Sequence, residues 1–410
     1  MLFDISRIVS GQFIAQLMLL VSIPFITRYY NPEEFGFFAI FSAIAWILVS
    51  FSTGKVESLI ITMKNKDKAA TLTIGVLTII LISSLVVSLI TGLLLSNAYP
   101  DFSSNSSYLS ILLGVTILAI GSAQTLRCYA TYLGRFSGHG VAAILNSTGV
   151  ISVSLGYAIL VDEDSLFIGL VLGQITGHAL SFFVFLFYTD IISMTSLKIL
   201  NSSFSTVLNQ AKKIPTLLVT QLASTLSARM STLIVSVVGG VSSAGSLSMA
   251  ERVVSAPTNT FGQAVGQVVR HRYSEAYKVD KQNTSLPRKV IIFTFPVVVF
   301  GYGFIIALAD WFVPLFLGEQ WGIAIIFVQI VAIMELFNFV FYSVEDVAII
   351  RDNFRYRMWG QLIQLLSLAM VYIYFEQEST SESVMLALGL ICFSRILFVV
   401  YDLSKTWRGT

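Results

Sequence analysis

Cysteine, histidine and charge are all scarce in this sequence. It has two cysteines in 410 residues, Cys128 and Cys392, both inside apolar runs. That excludes a disulfide framework and leaves them as packing residues. The three histidines, His139, His178 and His271, show no metal-site spacing with cysteines or carboxylates. No glycine-rich phosphate loop or nucleophile elbow appears, so no catalytic constellation is present and an enzyme is not expected. Lys, Arg, Asp and Glu make up 12% of the chain, against about 25% in ordinary soluble domains. A net charge of +2 says little about partners by itself, and no nucleic-acid partner is expected. The N-terminus lacks the cleavage signature of a signal peptide and runs straight into a hydrophobic span.

What fills the chain instead is apolar: 55% hydrophobic residues and a mean hydropathy of +0.81. Runs long enough to cross about 30 Å of hydrocarbon recur along the whole length. Twelve transmembrane helices are predicted, near 6–27, 35–53, 71–96, 108–130, 138–160 and 165–188, then 214–238, 243–267, 289–309, 321–343, 357–375 and 384–402. Lysine and arginine set the orientation. With the N-terminus inside, the inner segments gather Lys55, Lys64, Lys66, Lys68, Arg127, Arg135, Lys212, Lys213, Arg270, Arg272, Arg288 and Lys289. The outer loops hold only Arg28 and are acidic instead, at Glu33, Glu34, Asp101, Asp162, Asp164 and Asp310. The expected fold is therefore an all-α polytopic membrane protein with both termini cytoplasmic. It divides into an N-terminal six-helix bundle (1–190), a cytoplasmic linker (191–213) and a C-terminal six-helix bundle (214–410).

The halves read as a repeat. Phe35-Gly36 and the residues through Ser42 open the second span after a short outer turn. Ala244-Gly245 through Glu251 open the eighth in the same way, offset by 209 residues (244 − 35). Six spans restore the orientation, so the copies would be parallel, related by an axis along the membrane normal. Gly169, Gly173 and Gly177 on the sixth span favour close backbone approach to a neighbour. Pro257 follows Arg252 by five residues and should free the carbonyl of Val253. Trp311, Trp321, Tyr29, Tyr30, Tyr99 and Tyr108 fall at outer boundaries, where an aromatic belt is expected.

Charges within the spans are few. Arg229 and Arg252 each lie nine positions from a Gly/Ser turn at about 238–243 (238 − 229 and 252 − 243), so both sit roughly 13 Å below the same surface. Ionisable groups at that depth are costly and usually face a bundle interior or a wet cavity. Two such arginines repel unless an anion joins them, and Glu251 can neutralise only one. A diphosphate suits the remaining place, because guanidinium forks bind phosphate oxygens in bidentate pairs. Arg28 ends the first span, Lys55 and Glu57 lie at the inner end of the second, Glu335 is midway along the tenth, and Arg395 is inside the last. The structural alternative is that these charges pair to hold helices together, or snorkel to headgroups. Gln221, Ser224, Thr225 and Ser227 on the seventh span, with Ser255, Thr258, Asn259, Thr260, Gln263 and Gln267 on the eighth, are too polar to face lipid comfortably. They are expected to line a wet cavity able to hydrogen-bond a sugar.

Ile26-Thr27-Arg28-Tyr29-Tyr30-Asn31-Pro32-Glu33-Glu34-Phe35-Gly36, Gly54-Lys55-Val56-Glu57, Ala244-Gly245 through Pro257 and Leu317-Gly318-Glu319-Gln320-Trp321 carry a resemblance. Over essentially its whole length the chain resembles the polysaccharide-export flippases of the O-antigen translocase type, in the MOP (multidrug/oligosaccharidyl-lipid/polysaccharide) exporter superfamily. The resemblance implies two six-helix bundles around a central cavity, working by alternating access in the bacterial inner (cytoplasmic) membrane. The implied substrate is an undecaprenyl-diphosphate-linked oligosaccharide, an O-antigen (lipopolysaccharide) or capsule/exopolysaccharide repeat unit, moved from the cytoplasmic to the periplasmic leaflet. It places Arg229, Arg252, Arg28 and Lys55 against the diphosphate, with Asn259 and Gln221 in the same cavity. Glu251, Glu335 and Glu57 are candidates for coupling to a proton or sodium gradient. No cofactor or metal is implied; the partners would be the lipid-linked glycan, the bilayer and polysaccharide polymerase or assembly proteins.

Two other functions fit the sequence less well. A multidrug antiporter of the same superfamily should place carboxylates in the cavity of its first half, where the spans offer only Glu57, at an edge. A glycan polymerase or ligase would want a large periplasmic domain, whereas the longest outer loop, 97–107, is about eleven residues.

Overall fold

The computed structural model describes residues 2–63, 65–98, 103–161, 166–191, 207–208, 214–263, 265–266, 268–270, 272–273, 285–345, 347, 350, 355–375 and 381–408. All regular structure among them is helical. The first half holds α1 (Leu2–Tyr29), α2 (Pro32–Thr53), α3 (Lys66–Ala98), α4 (Ser103–Tyr132), α5 (Ser137–Leu160) and α6 (Phe167–Thr189). The second holds α7 (Ile214–Val254), α8 (Ser285–Leu317), α9 (Ala324–Val344), α10 (Arg355–Phe375) and α11 (Ser381–Arg408). Most of the linker 191–213, Tyr99, Asp101, Asp162, Asp164, Gln267 and His271 lie outside the described residues.

These helices are apolar on nearly every face because hydrocarbon requires each backbone polar group to be satisfied internally. β-branched valines and isoleucines therefore do not interrupt them. Spacing decides which face turns inward. On α3, Leu72, Val76 and Ile80 are buried four residues apart, while Leu81, Leu85, Leu89 and Leu93 form an exposed stripe at the same interval. On α8 the exposed stripe is Phe293, Val297, Phe300 and Phe304, the face expected against lipid.

Ten helices among the described residues are long and apolar enough to cross a membrane, and Trp359–Phe375 is a shorter apolar one. That shorter helix, in α10, and the two arms of α7 account for the difference from twelve. The 41 residues of α7 would measure about 60 Å if straight, twice the hydrocarbon thickness. It is broken at Gly240, whose φ of 77° and ψ of 174° are non-helical. Glycine tolerates that geometry because it has no Cβ. The predicted turn at 238–243 is therefore present, and the two arms correspond to the seventh and eighth predicted spans. The α-helix of the second arm is interrupted after Val254, yet the chain stays helical toward 267 as expected, over 256–263, 265–266 and 268–270. After Ser255 and Pro257 the chain makes a π-helical turn, Thr258–Gly262, where proline lacks the N–H that would serve Val253.

The backbone forms two compact units, Met1–Leu19 with Phe41–Thr225, and Leu20–Ile40 with Leu226–Thr410. In the first, α5 and α6 meet along the expected glycine seam. A Cβ on Gly173 would strike Ser154 and the Val150 carbonyl, and one on Gly177 the Asn146 carbonyl. Ser181 Oγ donates to the Ala142 carbonyl across the same seam at 3.1 Å.

In the second unit the repeat motifs touch each other. A Cβ on Gly36 would run into the Val241 carbonyl, and one on Gly245 into the Pro32 carbonyl and the Gly36 nitrogen. Gly36 and Gly245 are equivalent positions in the 209-residue offset, so the two copies cross at their shared glycine. Gly36→Val or Gly245→Val should cost about 1–3 kcal/mol through overpacking, read as a lower unfolding midpoint of the purified protein. Gly389→Ala, where an added Cβ meets open space inside α11, should not lower it.

The aromatic belt needs a correction. Trp311, Tyr29 and Tyr108 are exposed as a belt requires, but Trp321 and Tyr30 are both 0% exposed. They close edge-to-face on Phe35, at 5.5 Å for Trp321 and 6.0 Å for Tyr30. Large rings beside a glycine crossing bury more apolar area inside than at an interface.

Candidate functional site

The second unit collects most of the intramembrane charge. Arg229 lies on the first arm of α7, and Glu251 and Arg252 on the second; all three are half-buried. Glu251 feels the charges of Arg229 and of Glu335, and Arg252 feels that of Arg229. The carboxylate next to Arg252 in sequence is thus engaged with the other arginine. Successive residues on a helix point about 100° apart, so a carboxylate and its neighbour seldom pair.

Arg252 is held by aromatic rings. Its guanidinium carbon lies 5.3 Å from the Phe35 ring centre and 5.1 Å from that of Phe38. A helical side chain leans toward its own N-terminus, which brings Arg252 to the level of the Gly36–Gly245 crossing. Both rings offer negative π-faces, and neither accepts a hydrogen bond in the fork geometry that a carboxylate or phosphate does. Among the described residues no hydrogen bond or ion pair occupies the Arg252 donors.

Deeper in the same unit, Glu335 on α9 is 7% exposed. Asn338 Nδ2 donates to its Oε1 at 2.9 Å, and Arg395 Nε on α11 donates to Asn338 Oδ1 at 3.2 Å. Arg395 also stacks over Phe341 and Phe398. Glu335 Oε2 is buried without a hydrogen-bond partner. Beside it, at the π-turn, Thr258 Oγ1 lies 2.6 Å from the Tyr302 hydroxyl, which donates to the Val254 carbonyl at 3.2 Å. Asn259, by contrast, is exposed, with only a long contact from Nδ2 to Ser255 Oγ.

Arg28 is exposed at the end of α1 and lines a pocket of about 480 Å³ with Thr27, Pro314, Gly318, Glu319 and Gln320. Gln320 Nε2 fixes one wall by donating to the Thr27 carbonyl at 2.7 Å.

Lys55, Glu57 and Gln221 belong to the first unit. Lys55 follows Gly54 in left-handed backbone, φ 59°, a sharp reversal that starts the 3-10 turn Val56–Thr62. The turn tucks Glu57 inward to 2% exposure, where Gln124 Nε2 donates to its Oε1 at 3.0 Å. Gln221 Nε2 donates to Thr225 Oγ1 at 3.3 Å, and Thr225 pairs with Ser50 Oγ at 2.8 Å. Gln221 therefore belongs to a polar chain joining α7 to α2.

Desolvation raises the Glu57 carboxyl above its ordinary value of 4.5, against the lowering effects of its own backbone N–H, Thr53, Lys55 and Arg127. A carboxyl raised in the folded state binds protons more tightly there than in the unfolded chain. Its contribution to stability is full below about 4.5 and is lost as pH rises through the raised folded value. Glu57→Gln should flatten that slope while keeping an acceptor for Gln124, measured as unfolding midpoint against pH for the two proteins.

The phenylalanine cage, Asn338 and the Thr258–Tyr302 pair are not expected from the sequence. Phe35 and Phe38 stand out in the sequence as part of the repeat motif, and Phe35 also of the motif that carries the resemblance, but nothing ties either to an arginine; Tyr302 sits in an apolar run with nothing to single it out.

The arrangement can be set beside known proteins. The family described as "Polysaccharide biosynthesis protein" matches residues 25–326, while no curated protein matches the chain. Among solved structures, the lipid II flippase MurJ in an inward closed conformation is similar with a TM-score of 0.70, 15% identity, and 98% of this chain and 89% of that one covered. An inward-facing MATE-family multidrug resistance transporter of the MOP superfamily follows at 0.57, 13% identity, with 95% of each chain covered. A MOP superfamily transporter from Pyrococcus furiosus gives 0.52 at 13% identity, covering 98% of this chain and 96% of that one. Identities this low establish a shared fold, that of multi-pass membrane transporters. With three quarters of its length inside the matched region, the chain belongs to the polysaccharide biosynthesis protein family, and it shares the fold of these solved structures.

Proposed function

We propose that this protein is a flippase. It moves an undecaprenyl-diphosphate-linked oligosaccharide, an O-antigen or capsule/exopolysaccharide repeat unit, from the cytoplasmic to the periplasmic leaflet of a bacterial inner membrane by alternating access. The observation that carries the reading is Arg252: a guanidinium on a membrane-spanning helix, steadied by two phenyl rings, with its donors untaken by any described residue. A diphosphate supplies the oxygens that such a fork accepts in pairs. In a low-dielectric surrounding that attraction is far stronger than in water. Arg229 would share the anion by exchanging its interaction with Glu251 for one with phosphate. Arg28 and Lys55 offer further positive charge to the diphosphate. Gln221, Asn259 and the hydroxyls near them hydrogen-bond the sugar, while the polyprenyl tail stays in lipid. Family membership and the likeness to a lipid II flippase support the substrate class.

Glu251, Glu335 or Glu57 would couple the cycle to a proton or sodium gradient. A polymerase or ligase acting on the outer leaflet must then consume the product. The test is Arg229→Ala and Arg252→Ala in cells, each scored for surface glycan and for protein abundance. Glycan should fall at least tenfold at unchanged abundance in both; normal glycan in both would remove the diphosphate role.

A further inference from the structure

We propose that Glu335 is a proton-binding site whose occupancy is passed, through the Thr258 and Tyr302 hydroxyls, to the broken end of the helix that carries Arg229, Glu251 and Arg252. This rests on the transport reading for its purpose, though not for its chemistry.

Three observations meet at one place. First, Glu335 is nine-tenths buried, with one oxygen satisfied by Asn338 and the other left without a donor. A buried carboxylate oxygen in that state is expensive unless a proton or a donor reaches it. Second, the Thr258 hydroxyl lies close enough to Glu335 to act on it without bonding Oε2 in this structure, and is paired at 2.6 Å with Tyr302, in a contact where either oxygen can donate. Third, Tyr302 also reaches the Val254 carbonyl, the last residue of α7 before Pro257. Interruptions by proline and π-turns inside membrane helices often mark ion sites.

Two hydroxyls standing between the Glu335 carboxyl and the Val254 carbonyl have two self-consistent orders. When Glu335 is protonated, its O–H donates to Thr258, Thr258 donates to Tyr302, and Tyr302 donates to the Val254 carbonyl. When Glu335 is ionised, the order reverses: Tyr302 donates to Thr258, and Thr258 donates to the carboxylate. The Val254 carbonyl then loses its partner. The proton comes from water and binds Oε2; on release it returns to water, and no other bond is made or broken. Loading the site caps the end of the second arm, and emptying it uncaps that end.

The charged and titratable groups around Glu335 come from every neighbouring element. Arg395 and Cys392 face it from α11, Glu251 from α7, Tyr302 from α8, and Tyr342 from its own helix. Arg395 keeps its aromatic contacts with Phe341 and Phe398 in either state, so protonating Glu335 does not strand it.

The test is a pH titration of the full-length protein in lipid nanodiscs, following the carboxylic-acid carbonyl stretch by infrared difference spectroscopy. A band that titrates in the wild type should vanish in Glu335→Gln and persist in Glu251→Gln. Tyr302→Phe keeps the ring but cannot pass the hydrogen bond, and should move the midpoint by about one pH unit, a tenfold change in proton affinity. Should Glu335→Gln fail to fold, Tyr302→Phe alone decides, since an unmoved midpoint overturns the relay. A band surviving in folded Glu335→Gln, or one that follows sodium concentration instead of pH, overturns the site. No glycan substrate enters the experiment, so its failure and the failure of the flippase reading are separate results.

Discussion

Arg252→Glu should abolish surface glycan, and Arg252→Lys should lower it roughly 10- to 100-fold at normal protein abundance. The first change reverses the charge where an anion has to bind and sets a second carboxylate beside Glu251. The lysine variant is the sharper instrument. It keeps the positive charge but loses the planar fork and its stacking on Phe35 and Phe38. Losing a charge-assisted bidentate contact costs about 1.5–3 kcal/mol, which is about 10- to 100-fold in an equilibrium. Phe35→Leu with Phe38→Leu tests the same placement from the other side, since the arginine stays and only its support goes. Glycan per unit of protein should fall in that double variant too, by less than in Arg252→Lys. If lysine were fully active, the arginine would be acting as a point charge and the cage would be packing.

Removing Arg395 should produce the largest loss of stability. Arg395 holds Asn338, and Asn338 holds Glu335. Arg395→Leu leaves buried Asn338 without its charged donor and an ionised Glu335 without the cation that acts on it, for which about 3 kcal/mol is expected. The unfolding midpoint of the purified protein should drop steeply. Glu335→Gln combined with Arg395→Leu removes both charges, and most of that loss should be recovered. If the double variant were as unstable as Arg395→Leu alone, aromatic packing would be the main contribution of Arg395. The recovered variant should still lack the infrared band, which separates stability from proton binding.

Much of this molecule is legible in its sequence because hydrocarbon leaves so few choices. Apolar runs of span length must be helices, and the Gly/Ser turn between the seventh and eighth predicted spans is where α7 breaks. Pro257 marks the second interruption, for the plain reason that proline has no N–H to give. The glycine triplet on α6 likewise packs as its spacing implies. What sequence order does not carry is the choice of partner across the fold. Phe35 and Arg252 are far apart in the chain, and nothing in either segment says that the rings cover the guanidinium. Glu251 stands beside Arg252 in the sequence yet interacts with Arg229, because helix geometry turns adjacent side chains apart. Trp321 and Tyr30 look interfacial from their place at a span boundary. The glycine crossing beside them makes room that only three-dimensional packing reveals.

The most direct test is translocation by the purified protein. Proteoliposomes would carry a fluorescent short-chain glycan on either a polyprenyl diphosphate or a polyprenyl monophosphate, and dithionite quenching would report which leaflet holds it. Fast flipping of the diphosphate is expected, with much slower flipping of the monophosphate, and that preference should disappear in Arg252→Ala. Equal rates for the two lipids, or an unchanged preference in Arg252→Ala, would contradict the assignment of the arginines to the diphosphate.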